Sequence, residues 1–414
     1  MHILFVATNL PVPPNNGQSI RSLSIIQALE SSGHELTFVS FANKRRSEDL
    51  HPLSSFCRSI DILEREMANL TEQADYFRRI RTLLAFGSFS IERFRSDAMR
   101  EKIQGKLQAG RYDLIVCDGI YALTNVPETK VPIALNCHNV EYVILERYAR
   151  LERNPLKKYY ARIESHLMRI AERRSSYRAS LAMVCSEVDL EILRLFRRDL
   201  PVFIVPNVVD TDLIHPVESS SLDGTGPVLL FQGGMDWYPN RDAVEFFARA
   251  ILPRVRAVYP ETRFIIAGRN PPIQFVEQFR SDPKIEFTGT IPDMRPYLSA
   301  ATVVVVPLRL GSGTRIKILE ACAAGKPVVS TSLGAEGLDL AAEKEIILAD
   351  DPDQFARSVV TLLRDPARRD AIATSARKVI LERYSHLALK RSLETVISSL
   401  AQADDLKAVG EPSR

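Results

Sequence analysis

The stretch from Thr302 to Ser330 leaves this chain few folds to choose from. An apolar run, Thr302-Val-Val-Val-Val306, and Pro307 lead towards Gly311-Ser-Gly-Thr-Arg-Ile-Lys-Ile-Leu-Glu320. Ala321-Cys-Ala-Ala324, Gly325 and a second apolar run, Pro327-Val-Val-Ser330, follow. The order is buried strand, glycine loop, helix, glycine stop, strand, which is a βαβ unit with its ligand end at the loop. Two glycines let backbone amides approach an anion closely. The spacing puts Arg315 and Lys317 in the first helical turn, where cations oppose the helix dipole unless something negative binds. Glu320 falls three residues after Lys317, on the same helical face. A carboxylate beside an anion site suits ribose hydroxyls, and phosphate plus ribose is a nucleotide. The competing reading makes Lys317 and Glu320 a surface ion pair and Arg315 a solvated cation.

The same alternation runs through the whole chain. His2–Ala7 reads as a strand, Thr8–Gly17 as a Pro/Asn/Gly loop, Ser19–Ser31 as a helix stopped by Gly33, and Leu36–Phe41 as the next strand. Asp113–Cys117, Pro132–Leu135, Leu181–Cys185 and Val202–Val205 are further strand candidates, apolar enough for a parallel sheet covered on both faces. Residues 60–110 and 141–180 read as long polar helices. After Ser219–Gly226, a Ser/Gly-rich linker or surface loop, strands recur at Pro227–Phe231, Phe264–Ala267, Ile285–Thr288 and Glu345–Leu348. From Asp353 the chain reads as helical, ending in an amphipathic helix at Tyr384–Leu400 and a frayed tail from Asp404. At 414 residues one ordinary core is too small for the chain, so two domains are expected. Both read as doubly wound α/β units, and two such units facing one another make a ligand cleft.

Composition excludes several classes. No run of eighteen apolar residues exists for a transmembrane helix, and the apolar start is too short for a signal peptide. Cys57, Cys117, Cys137, Cys185 and Cys322 are scattered without C-x-x-C spacing and read as reduced core thiols. The seven histidines lie too far apart for a metal pair, so no metal is expected. No G-x-G-x-x-G, G-x-x-x-x-G-K-[ST] or G-x-S-x-G is present, which disfavours a dinucleotide cofactor, a P-loop and an α/β-hydrolase. Residues 1–207 carry 29 basic against 24 acidic residues, and the remainder 25 against 27. The basic residues gather in Phe77–Arg81, Arg93–Lys106 and Arg147–Arg178. Such clusters suit anionic headgroups or a nucleic acid, or are solvated helix faces.

Four loops at predicted carboxyl ends of strands gather in the second half: Gln232–Asp236, Gly268–Asn270, Gly289–Asp293 and Gly311–Lys317. In the first half His138, in Asn136-Cys-His-Asn-Val-Glu141, follows a strand. It either bonds a hydroxyl and stabilises charge or fixes a strand-to-helix turn. Asp118-Gly119 either binds a polar ligand or makes a turn. In Asn15-Asn-Gly-Gln-Ser-Ile-Arg21, the loop amides of Asn16 and Gly17 with Arg21 meet a substrate, or Asn16 and Ser19 merely cap the helix.

The stretch Pro307–Thr331 continuing to Gly337, with Gly234-Met-Asp-Trp-Tyr-Pro-Asn240, Gly289-Thr-Ile-Pro-Asp293, the N-terminal loop and His138, resembles the family 4 retaining glycosyltransferases of the GT-B fold. The resemblance covers almost the whole chain and implies two facing Rossmann-like domains. These would be an acceptor domain at 1–207, a donor domain at 208–383, and residues 384–414 as a helix returning to the first domain plus a tail. It implies a nucleoside-diphosphate sugar as co-substrate and a glycan or lipid-linked acceptor, with no metal, dinucleotide or nucleic acid. Glu320 would bind the ribose. Arg315, Lys317 and the amides of Gly311, Ser312, Gly313 and Thr314 would cradle the diphosphate beside Gly234. Thr290 and Ile291 would meet the base, and His138 the donor sugar. A cytoplasmic protein is implied, with basic first-domain helices at the inner face of a membrane. Two departures stand out: Ser312 occupies the place of the motif's first glutamate, and Met235 that of a basic residue, for which either Arg241 substitutes or Arg315 and Lys317 carry the phosphate charge alone. The rival readings are a sugar-nucleotide epimerase of the same architecture and a non-catalytic nucleotide-sugar-binding or scaffold protein.

Overall fold

The computed structural model describes residues 1–42, 51–64, 79, 81–82, 85–217 and 226–409. The chain forms two compact units, one of Met1–Pro206 with Leu387–Arg414, the other of Asn207–His386. The Ser/Gly stretch 219–225, most of the basic Phe77–Arg81 cluster and the last five residues lie outside the described residues.

The first unit holds seven strands, β1 (His2–Val6), β2 (Glu35–Ala42), β3 (Ser59–Glu64), β4 (Leu114–Asp118), β5 (Ile133–Asn136), β6 (Leu181–Val184) and β7 (Val202–Ile204). All pairs are parallel, in the order β3-β2-β1-β4-β5-β6-β7. The order reverses between β1 and β4, whose registers place Ile3 beside both Leu36 and Leu114. Leu4, Val6, Ile115, Cys117 and Ala182 are buried because helices cover the sheet. The C-terminal helix His386–Val409 belongs to this unit. Leu389, Leu393, Val396 and Leu400, spaced on one helical face, are buried, and Lys390 Nζ donates to the Ser31 carbonyl at 3.2 Å.

The second unit repeats the plan with β8 (Val228–Gln232), β9 (Arg263–Ala267), β10 (Ile285–Phe287), β11 (Val303–Val306), β12 (Val328–Ser330) and β13 (Ile347–Leu348). Their order is β10-β9-β8-β11-β12-β13, again all parallel, with the reversal between β8 and β11. In open sheets of this kind a crevice opens beyond the carboxyl ends of the strands at the reversal. The loops after β8 and β11 border it.

Two expectations need correcting. Residues 60–110 are not one helix: Ser59–Glu64 is strand β3, paired with β2, and a helix at Asp97–Ala109 starts from a Ser96 cap. Residues 65–78, 80 and 83–84 of that stretch lie outside the described residues. Residues 141–180 form a hairpin of Glu141–Leu151 and Pro155–Arg178, broken where Asn154 accepts from the amides of Leu156 and Lys157 with Pro155 at the first helical position. Of the five cysteines, all free, only Cys137 is not fully buried.

Candidate functional site

In the second unit the helix Ile316–Ala323 begins one residue later than the sequence spacing predicts. Arg315 is its N-cap residue, and only Lys317 lies in the first turn. Gly311 sits at φ 122°, a backbone few other residues adopt, and a Cβ there would come within 2.8 Å of the Arg315 guanidinium. That guanidinium folds back over the loop and donates to the carbonyls of Ser312 and Gly313. Thr314 Oγ1 accepts from Asn207 Nδ2 at 2.7 Å, so the far side of the loop is held from the start of this unit.

Lys317 is not a solvated lysine. Its ammonium donates to Asn240 Oδ1 at 2.8 Å and lies 4.2 Å from the centroid of the Phe231 ring. Burial, then the charge of Arg315, lowers its pKa from 10.5 to about 7. Burial raises the Glu320 carboxyl to about 7 against the pull of Lys317 and Gln232. Gln232, the last residue of β8, donates Nε2 to Glu320 Oε2 and to the Lys317 carbonyl. Asn240 closes the other side, its Nδ2 donating to the Gly234 carbonyl at 2.8 Å. The glycine turn after β8, Lys317 and Glu320 are therefore one hydrogen-bonded assembly at the sheet's reversal, and Arg315 lies close enough for its charge to act on Lys317. It can bind an anion through Lys317 and Arg315 and a hydroxyl through Glu320.

Beyond β10, Thr290 is exposed and Ile291 packs partly on the core of this unit. Met235 is fully buried, and Arg241 donates to the carbonyls of Met235 and Asp236, so its guanidinium braces the turn.

The first unit builds a polar network at its own reversal. Asp118 ends β4 with 1% of its surface exposed and accepts from Ser22 Oγ at 2.7 Å, Asn136 Nδ2 at 2.8 Å and His138 Nε2 at 2.8 Å. Burial would raise this carboxyl, but the charge of His138 and the three hydrogen bonds outweigh it, and the net shift is downward. Facing a carboxylate, Nε2 of His138 carries the ring proton. Arg21 is 2% exposed and donates to Asn136 Oδ1 and the Val205 carbonyl, so its side chain braces the ends of β5 and β7 from within. Asn16 and Ser19 form a reciprocal capping box on the helix Gly17–Ser31.

Two family descriptions match this chain in tandem: "Glycosyltransferase Family 4" over residues 15–213 and "Glycosyl transferases group 1" over residues 226–365. The chain is built as a GT-B glycosyltransferase. Along its length it is 22% identical to an "Uncharacterized 44.6 kDa protein in cps region" of Klebsiella pneumoniae, covering 92% of this chain and 96% of the relative. Its fold is similar to that of sucrose-phosphate synthase from Thermosynechococcus elongatus (TM-score 0.73, 17% identity, 97% and 99% of the two chains). It is also similar to that of Anabaena HepE in complex with UDP and glucose (TM-score 0.67, 16% identity, 96% and 100%).

Within this glycosyltransferase the structure gathers Gly311, Ser312, Gly313, Thr314, Arg315, Lys317, Glu320 and Gly234 at one sheet reversal. His138 belongs to the other unit's network, with Arg21. In the second unit's assembly three residues carry no role in the sequence reading: Gln232, Asn240 and Asn207. Gln232 had a signal, a polar side chain closing the apolar run Pro227–Phe231; Asn240 and Asn207 had none beyond their motif neighbours. Among the described residues, no group of three or more His, Cys, Asp or Glu side chains gathers to hold a metal, and no helix is long and apolar enough to cross a membrane.

Proposed function

We propose that this chain is a retaining transferase that moves a hexose-type sugar from a nucleoside diphosphate to a glycan or lipid-linked acceptor, in surface-polysaccharide or glycolipid synthesis. One observation carries the reading: Lys317, largely desolvated, is held by Asn240 beside Arg315 and next to a carboxylate engaged by Gln232. An anion with a neighbouring diol answers both halves of that arrangement. Thr290 and Ile291 are assigned to the base, and His138 to the donor sugar. The binding of UDP by a protein of similar fold supports a nucleotide-sugar donor.

In the reaction the bond from the anomeric carbon to the phosphate oxygen breaks, and its electrons pass to the diphosphate. Lys317, Arg315 and the loop amides stabilise the charge that develops there. The acceptor hydroxyl attacks the face being vacated and its proton passes to the departing oxygen, which retains the configuration. Ser312, where a glutamate is usual, directs donor-sugar choice to other side chains.

The first test is calorimetric and thermal-shift binding of UDP, GDP and ADP. One of them, at a hundred times its dissociation constant, is expected to stabilise the protein by about 2.7 kcal/mol. No response to any of the three overturns the donor-site assignment. Conversion of a nucleotide sugar without acceptor would replace transfer by epimerisation.

Two variants probe the roles separately. Glu320→Ala is expected to weaken the bound nucleotide roughly tenfold, as one charge-assisted hydrogen bond lost. The loss should vanish when the ligand is inorganic pyrophosphate; equal losses for both remove the ribose role. His138→Ala is expected to slow transfer about a hundredfold or more while nucleotide affinity stays nearly constant. A matching drop in affinity counts against a role at the sugar.

A further inference from the structure

The turn after β8 carries a side chain that the diphosphate cradle does not use. Trp237, the chain's one tryptophan, ends that turn with 51% of its surface exposed. We infer that its indole is a stacking platform for a pyranose ring beside the diphosphate, and so positions a sugar for transfer. The backbone under the ring is firmly held. Trp237 donates its amide to the Gly234 carbonyl at 3.3 Å, and its own carbonyl accepts from the amides of Asn240 and Arg241 at 3.1 and 3.4 Å, at the start of the helix Tyr238–Phe246. Met235 anchors the turn in the core, and Arg241 clamps the Met235 and Asp236 carbonyls. The Gly234 carbonyl also accepts from Asn240, which holds Lys317. A Cβ on Gly233 would lie 2.9 Å from Lys317 Nζ, so the turn that carries the indole closes directly on the ammonium.

Among the described residues no hydrogen bond or ring contact engages the Trp237 side chain, whereas the Arg241 guanidinium lies 5.8 Å from the centroid of the neighbouring Tyr238 ring. Of the three parts of a nucleotide sugar, two do not suit this indole. The phosphates are repelled, because the face of an aromatic ring is negative. The base is assigned to Thr290 and Ile291 beyond β10, and β10 stands two strands from β8 in the sheet, roughly 10 Å away. The sugar remains. A pyranose presents C–H groups on one face and hydroxyls at its edge. The C–H face packs on the ring, and the indole N–H donates to a hydroxyl oxygen. A rigid aromatic loses little conformational freedom in doing so. The pyranose is either the donor's hexose or a saccharide of the acceptor, since both must meet where the diphosphate departs. The inference rests on the donor-site reading, and its test separates the failure of one from the failure of the other.

The experiment follows the emission of this single tryptophan in the full chain while UDP, GDP and ADP, and then their hexose conjugates, are added, with calorimetry in parallel. If the donor supplies the pyranose, a nucleotide hexose changes the emission and the bare diphosphate leaves it nearly constant. If the acceptor supplies it, the change comes when glucose, galactose, mannose or N-acetylglucosamine is added to protein saturated with the diphosphate. Trp237→Leu is expected to weaken binding of the responding sugar roughly tenfold, with diphosphate affinity and melting temperature unchanged. Trp237→Phe, which keeps a ring, is expected to recover most of that loss. Calorimetric binding of a diphosphate with an emission that no sugar alters overturns the platform alone. So does an equal change with the bare diphosphate, or a Trp237→Leu protein that binds every sugar as the wild type does. No calorimetric binding of any diphosphate overturns the donor site and, with it, the platform beside it. A size-exclusion shift from oligomer to monomer in Trp237→Leu would assign the ring to contact between copies and overturn the platform.

Discussion

Arg315→Ala/Lys317→Met is expected to lose nucleotide-induced thermal stabilisation entirely and to slow transfer by about a thousandfold or more, while the unliganded protein melts no lower than wild type. The first part follows from the chemistry of departure: a diphosphate leaving in a water-poor site depends on preorganised cations, and one such donor is commonly worth about a hundredfold to a thousandfold. The second part follows from the state of Lys317. Its pKa of about 7 means that the fold tolerates the charged form poorly without an anion.

The pH dependence of stability carries the same information. Glu320, raised to about 7, contributes stability that is present below its ordinary 4.5 and lost as the pH climbs to about 7. Lys317, lowered to about 7, contributes stability that is present above its ordinary 10.5 and lost as the pH falls to about 7. The unliganded protein should therefore show a shallow minimum near neutrality. The double variant should flatten the alkaline limb, and a bound diphosphate should flatten it in the wild type. Melting curves between pH 5 and 10, with and without the nucleotide, read this directly. A double variant that melts well below wild type and still binds nucleotide would make Lys317 a structural residue.

Most of this architecture is legible as sequence, for a physical reason. Strands buried on both faces of a parallel sheet must be continuously apolar, so Val303–Val306, Leu114–Cys117 and Leu181–Val184 announce themselves. Strand β3 does not, because Ser59–Glu64 is an edge strand, only part-buried, and Asp61 on it binds Lys102 and Lys106. The break between the hairpin helices hides inside a run of charged helix formers, where one asparagine cap and one proline decide it. The site divides the same way. Its phosphate loop is local, so glycine spacing and the cations beside it mark it out. The environment of Lys317 is not local. Phe231 and Gln232 arrive from strand β8 and Asn240 from the helix Tyr238–Phe246, and they turn an apparently exposed lysine into a desolvated one. Likewise Arg21 has the spacing of a substrate contact, yet Asn136 and the Val205 carbonyl, more than a hundred residues away, claim it.

Gly268→Ala is expected to damage both fold and site, because a Cβ at this position would lie 1.9 Å from the Gly233 carbonyl oxygen and 2.6 Å from its carbon. No side-chain rotation relieves that clash, since both atoms are backbone. The turn is also held in register there: Gly233 donates its amide to the Ala267 carbonyl and Met235 to that of Arg269, each at 2.9 Å. Relief requires the turn to move by an ångström or more, breaking at least one of these bonds. Overpacking of this kind costs roughly 3 kcal/mol, or about 6–12 °C in melting temperature for a domain of this size. The displaced turn carries the Gly234 carbonyl that orients Asn240, and Asn240 holds Lys317. Misplacement by an ångström costs on the order of a hundredfold where charges must meet a reacting group, so nucleotide affinity and transfer should fall even at temperatures where the variant stays folded. Gly105→Ala is the control, since a Cβ there meets nothing within 4 Å and the residue lies inside the helix Asp97–Ala109; it should leave affinity unchanged and stability equal or slightly higher. A Gly268→Ala protein with wild-type melting and nucleotide affinity would show that the glycine turn does not position Lys317.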